Sequence, residues 1–184
     1  MRLFIAVPLP EVAGAEINSV LLRLKSQDWP VRWVREEGIH LTLKFFGEVT
    51  ADRVDAIVEM LNFATQGMTP MTLRLVGAGI FPPAIRQPRV IHLDVDADPS
   101  LELLQDRIER GGERLGFPPE GRPFRPHFTL GRVREGQRLP AGWQGELERI
   151  PEGAAFLADR VVLFESELGP SGPTYAIRRE IRLG

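Results

Sequence analysis

Two of the three histidines in this 184-residue chain stand in the same four-residue setting. They are His40-Leu41-Thr42-Leu43 and His127-Phe128-Thr129-Leu130. On a strand, side chains alternate faces with a period of two, so His40 and Thr42 share one face while Leu41 and Leu43 take the other. His127 and Thr129 share a face in the same way, over Phe128 and Leu130. At about 3.3 Å per residue the imidazole and hydroxyl of each pair sit roughly 6.6 Å apart along the strand, room for a phosphate beside both. If the two copies face each other across a cleft, two imidazoles flank a phosphorus atom and two hydroxyls donate to its non-bridging oxygens. In-line displacement at a phosphodiester needs one group to take a proton from the attacking oxygen and another to protonate the leaving oxygen. Two imidazoles of ordinary pKa about 6.5 suit both tasks, one neutral and one charged near neutral pH. This chemistry requires no metal and no cofactor. It predicts a bell-shaped pH dependence peaking near neutrality and activity that persists in a chelator.

A single His-x-Thr on a strand is ordinary structure, and it is the repetition in matching apolar contexts that carries the reading. Around the pairs lie candidate phosphate-binding cations. Lys44, two residues after Thr42, is expected on the face of Thr42, and Arg125, two before His127, on the face of His127. Arg132 is out of phase with His127 and reaches the same face only if a twist or bulge intervenes near Gly131. The third histidine, in Arg89-Val90-Ile91-His92-Leu93, reads either as a half-buried strand residue, the favoured reading, or as one that lines the cleft. The three histidines lack metal-ligand spacing and no carboxylate cluster accompanies them, so no metal site is expected.

Positioning these residues takes strands, and the chain supplies them. Arg2–Val7 reads as a strand stopped by Pro8 and Pro10. A helix follows with Val12, Ala15, Ile17, Val20, Leu21 and Leu24 on one side. Extended segments are expected at Trp33–Val34 and Ile39–Phe46, and a second helix over Asp52–Ala64. Met71–Val76 and Val90–Val95 read as strands separated by an irregular loop, Gly77–Pro88. Leu101–Leu115 has helical spacing, Phe124–Val133 is the strand of the second motif, and Phe156–Glu165 and Thr174–Leu183 read as closing strands. The Gly-rich stretch Arg134–Gly153 carries no readable pattern. Mixed order without regular βαβ spacing predicts an α+β fold of two pseudo-symmetric lobes. Each lobe is an antiparallel sheet with flanking helices, the cleft lies between them, and residues 1–184 form one bilobal domain.

Composition sets the outer limits. Hydrophobic residues at 43% and charged residues at 26% are the balance of a globular chain, and the absence of cysteine excludes thiolate nucleophiles and zinc–sulfur sites. The apolar opening Leu3–Leu9 is broken by Pro8, so no membrane span or signal core is expected, and the protein is read as cytoplasmic and monomeric. A net charge of −2 argues against wrapping long nucleic acid. Of the 23 basic residues, all but Lys25 and Lys44 are arginine, a bias that suits bidentate phosphate contacts.

With these motifs in view, the sequence resembles the two-histidine (2H) phosphoesterase superfamily, and within it the RNA 2′,3′-cyclic phosphodiesterases also called 2′-5′ RNA ligases. The resemblance rests on Arg2-Leu3-Phe4-Ile5-Ala6, on Arg32-Trp33-Val34 leading into His40-Leu41-Thr42-Leu43-Lys44-Phe45, and on the turn Gly79–Pro82. It continues through Phe124-Arg125-Pro126-His127-Phe128-Thr129-Leu130-Gly131-Arg132, Glu165-Ser166-Glu167-Leu168 and Gly172–Tyr175, nearly the whole chain. It implies hydrolysis of an RNA or nucleoside 2′,3′-cyclic phosphate to a 2′-phosphomonoester, with weak 2′-5′ ligation of RNA in reverse. By the same analogy His40 is the proton donor to the leaving 3′-oxygen and His127 the base that activates water. The partners implied are RNA ends carrying a cyclic phosphate, or small cyclic nucleotides. Two other readings use the same cleft: a phosphodiesterase for another 2′-5′ or small cyclic diester, and a non-catalytic module that binds RNA ends.

Overall fold

The sheet that holds the first motif is built around β1 (Arg2–Pro8), whose residues Leu3–Val7 are all buried. A strand buried on both faces reads as a continuous apolar run, and β1 is interior, paired antiparallel to β3 (His40–Glu48) and to β8 (Arg160–Gly169). With β9 (Gly172–Arg182) at the far edge the order is β3-β1-β8-β9. The second sheet has the order β2-β6-β5-β4-β7, from β2 (Val31–Trp33), β4 (Met71–Phe81), β5 (Val90–Ala97), β6 (His127–Val133) and β7 (Ala155–Ala158). Every pairing in both sheets is antiparallel. The computed structural model describes residues 1–82, 88–169 and 172–184, apart from the side chain of Leu168.

Four helices complete the α+β fold: α1 (Glu11–Lys25), α2 (Val54–Thr65), α3 (Pro99–Arg114) and α4 (Trp143–Glu148). α3 shows how locally its start is coded. Asp98 accepts a hydrogen bond from Ser100 N at 2.8 Å and Pro99 follows it, a cap and a first-turn proline that need no amide donor. Leu101, Leu104 and Ile108 bury one face, and α3 packs on β3 and beside α2. α4 packs on β4, and Arg23 of α1 reaches it through the carbonyl of Arg149 and the carboxylate of Glu146. The lobes are not the two halves of the chain. β2 leaves the first half to pair with β6, and β8 and β9 return from the second half to flank β1.

Four expectations are corrected by this arrangement. Val12 and Ala15 of α1 face solvent, while Ala13 and Gly14 are buried. A Cβ on Gly14 would lie 3.0 Å from Glu36, so the small residues are the ones that let a neighbouring segment approach. The single strand expected over Phe156–Glu165 is two strands in different sheets, β7 and β8, divided at Asp159. β4 runs on to Phe81 through part of the expected loop Gly77–Pro88, of which residues 83–87 lie outside the described residues. The unreadable stretch contains α4, and the strand of the second motif begins at His127 rather than Phe124.

Candidate active site

β3 lies against β6, so the strands carrying the two motifs meet where the sheets face each other. Leu41, Leu43, Phe128 and Leu130 are buried, and His40, Thr42, His127 and Thr129 stand half-buried on the opposite faces, as period-two alternation requires.

After each threonine the alternation breaks, at equivalent positions. Across β1 and β3, Ala6 pairs with Thr42 and Ile5 with Lys44, so Leu43 is an extra residue. Across β5 and β6, His92 pairs with Thr129 and Ile91 with Gly131, so Leu130 is extra. Each motif therefore ends in a β-bulge that reverses the facing of the residues immediately after it. The bulge beside Gly131 turns Arg132 outward, and its charge acts on both His127 and Tyr175. The equivalent bulge has the opposite effect on Lys44. That side chain is not beside Thr42 but is 3% exposed in the interior, with Nζ 2.7 Å from Glu109 Oε2 and 3.1 Å from the carbonyl of Pro118. The residue matching Arg132 in the first copy is the exposed Phe45. Arg125 is exposed; its carbonyl accepts a hydrogen bond from His127, and its charge acts on Asp94.

The two imidazoles are held alike. His127 Nδ1 donates to the carbonyl of Arg125 at 2.7 Å, and His40 bonds to the backbone of Gly38. In both cases the partner is two residues upstream, which fixes the tautomer and leaves the far nitrogen for the cleft. The walls differ. His40 lies against Phe4 (ring centroids 4.7 Å apart) and meets the edge of Tyr175 (5.2 Å), with Phe164 beyond at 6.1 Å. Among the described residues the ring beside His127 is a third imidazole, His92, at 4.9 Å. Beside His40 opens a cavity of ≈ 290 Å³ whose lining includes Pro8, Glu37, His40, Phe164 and Tyr175.

These surroundings set the proton affinities. Burial drives the His40 imidazole from 6.5 down to about 4, the Gly38 hydrogen bond opposing and the charge of His127 adding to the effect. His127 is lowered as well, first by burial, with the Arg125 carbonyl and the Asp94 carboxylate opposing and the charges of His92 and Arg132 contributing. Burial raises the Tyr175 phenol, which therefore keeps its proton and stands as a donor at neutral pH. In the free protein both motif imidazoles thus favour the neutral form, in place of the one neutral and one charged ring that the motif alone predicts.

His92, by sequence favoured as a plain strand residue, is found in the cleft, with Asp94 two positions on. The same period-two rule places His92 and Asp94 on one face, a signal present in the sequence once β5 is recognised. Phe4, Phe164 and Tyr175, brought together from three strands, leave no local signal.

Two antiparallel lobes that each present a His-x-Thr strand to a common cleft define a protein of the two-histidine class. The chain belongs to the 2′-5′ RNA ligase superfamily, whose sequence profile matches residues 16–181. A Methanothermobacter thermautotrophicus protein called RNA 2′,3′-cyclic phosphodiesterase is 35% identical over 186 residues, covering 100% of this chain and 99% of that one. A Thermotoga maritima protein of the same name is 32% identical, covering 98% and 94%. Among solved structures, TT0787 of Thermus thermophilus superposes with a TM-score of 0.84 at 27% identity, covering 100% of this chain and 98% of that one. Escherichia coli LigT complexed with 3′-AMP does so with a TM-score of 0.73 at 26% identity, covering 99% and 97%.

Proposed function

We propose that this protein hydrolyses RNA or nucleoside 2′,3′-cyclic phosphates to 2′-phosphomonoesters, with His40 as general acid and His127 as general base. The observation that carries the reading is the pair of imidazoles on facing strands, each anchored through one nitrogen by a carbonyl two residues upstream. The relatives' names supply the substrate class. In this reading His127 Nε2 takes a proton from water as its oxygen attacks phosphorus, the P–O3′ bond breaks, and His40 delivers a proton to the leaving 3′-oxygen. Thr42, Thr129 and Arg132 hold the non-bridging oxygens, and no metal is required because the imidazoles and these donors supply both proton transfers and charge stabilisation. With an RNA 5′-hydroxyl in place of water the same displacement, with the same acid and base, joins a 2′-5′ bond; in the reverse the 3′-hydroxyl attacks phosphorus, the 5′-oxygen leaves and the two imidazoles exchange roles. The protein works as a cytoplasmic monomer on RNA ends. Among the described residues no helix is long and apolar enough to cross a membrane.

The test is incubation with a 2′,3′-cyclic mononucleotide and, separately, a 2′-5′ dinucleotide, each with and without EDTA, with products assigned by phosphorus NMR. A 2′-monophosphate formed equally well in EDTA supports the proposal. A 3′-monophosphate reverses the choice of leaving oxygen, loss of activity in EDTA restored by a divalent ion refutes metal independence, and binding without turnover turns the protein into an RNA-end module.

A further inference from the structure

His92 and Asp94 stand beside the second motif, on the neighbouring strand, rather than within it. In the register of β5 and β6, Asp94 lies directly opposite His127 and His92 opposite Thr129, so the pair stands beside both functional side chains on the same face of the sheet. His92 Nε2 is 3.1 Å from Asp94 Oδ1, and the His92 ring is inclined at 56° to the ring of His127. The neighbouring strand makes room for them. Gly79 of β4 is the register partner of His92, and a Cβ there would come within 2.5 Å of His92 Nε2 and 2.7 Å of Asp94 Oδ2. The other nitrogen, His92 Nδ1, is the buried side-chain polar atom without a hydrogen-bond partner among the described residues. Buried polar atoms in a structural role are normally satisfied, and an orphaned one is characteristic of groups kept for their chemistry.

We propose that His92 and Asp94 form a histidine–carboxylate pair that positions His127 from the neighbouring strand and is coupled to its proton. The proposal rests on the base role given to His127 above. His92 is a positioning residue here: its unpartnered nitrogen is buried, and it acts through the ring it touches. The groups that face His127 are His92 and Asp94 from β5, Arg132 from its own strand, and His40 from β3 across the cleft, with the Arg125 carbonyl fixed on Nδ1. Of these, the β5 pair is joined in one hydrogen-bonded unit. Positive charge on His92 disfavours a proton on His127, and negative charge on Asp94 favours it. A purely apolar neighbour would supply burial alone and no such balance.

The experiment follows the His127 imidazole by nitrogen-resolved NMR titration of the ligand-free protein in the wild type, His92→Gln and His92→Phe. The pH dependence of cyclic-phosphate hydrolysis is measured in parallel. Gln keeps a donor for Asp94 without a titrating ring, and Phe keeps a ring against His127 without a donor. The expected result is an upward move of the His127 midpoint in His92→Gln, partly reversed when Asp94→Asn is added, with the matching limb of the rate profile moving in step. His92→Phe should retain the fold and lose the wild-type midpoint. Midpoints unchanged in both single variants, or lowered in His92→Gln, overturn the proposal and reduce His92 to packing. If the midpoint moves but the rate limb stays, the coupling stands and it is the base role of His127 that falls.

Discussion

The depressed proton affinity of His40 has a kinetic signature that can be worked out in advance. With its midpoint at about 4, the imidazole carries a proton in roughly 1 of 1,000 free molecules at pH 7, against about 1 in 4 for an ordinary histidine. Protonating it in the empty cleft costs about 3 kcal/mol more than in water. A phosphodiester anion roughly 4 Å away, at an effective dielectric near 20, attracts the imidazolium by about 4 kcal/mol, enough to restore the acid when substrate binds. The two kinetic parameters should therefore disagree. The kcat/KM profile, which reports the free protein, should rise through about 4 and fall through the depressed midpoint of His127, giving a maximum below pH 6.5. The kcat profile, which reports the complex, should be displaced upward and reach its maximum nearer neutrality. The assay is initial-rate hydrolysis of a 2′,3′-cyclic mononucleotide across about pH 4–9 at subsaturating and saturating concentrations; that substrate has no ionisation of its phosphate in this range. A kcat/KM that keeps rising through pH 7, or profiles that coincide, would refute the argument that burial empties His40 and substrate refills it.

Either His40→Ala or His127→Ala should lower kcat by about 100- to 10,000-fold with the thermal midpoint little changed, each removing a proton-transfer group from a half-open cleft. Thr42→Ala and Thr129→Ala should cost about tenfold to a hundredfold, the loss of one neutral donor, while Thr→Ser at either position stays close to wild type; equal damage from Ser would assign the methyl rather than the hydroxyl. Lys44→Met should act on stability and not on substrate affinity. It strands the carboxylate of Glu109 beside a buried position and should cost about 3 kcal/mol in denaturant unfolding with KM unchanged, whereas a raised KM at normal stability would return Lys44 to the cleft. Acid should weaken the fold through His40. The unfolded chain takes the proton near 6.5 and the folded chain only near 4, so this contribution is complete above 6.5 and is lost as the pH falls between the two, by up to about 3 kcal/mol. In His40→Phe that part of the decline should disappear from melts at pH 4 and 6.5.

Sequence alone determined the fold class and the family, and singled out the residues expected to do the chemistry. A duplicated His-x-Thr is legible because strand alternation is a local rule: once each motif is extended, the facing of four side chains and the burial of Leu41, Leu43, Phe128 and Leu130 follow from geometry within four residues. The same rule fails one step later. Whether residue i+2 keeps its facing depends on the register of the neighbouring strand, and bulges at Leu43 and Leu130 are pairing events between β3 and β1 and between β6 and β5, which no window of a single strand contains. For that reason Lys44, a cleft residue by alternation, lies in the core, while Arg132, out of phase by sequence, faces outward beside His127. Tertiary structure also decided the environment that sets the chemistry. The phenyl rings of Phe4 and Phe164 and the phenol of Tyr175 close on His40 from β1, β8 and β9, and the His92–Asp94 pair sits beside His127. Residue type gave both imidazoles the same starting pKa. Burial and neighbouring charge, which exist only after distant strands have packed, lower both, with different neighbours acting on each.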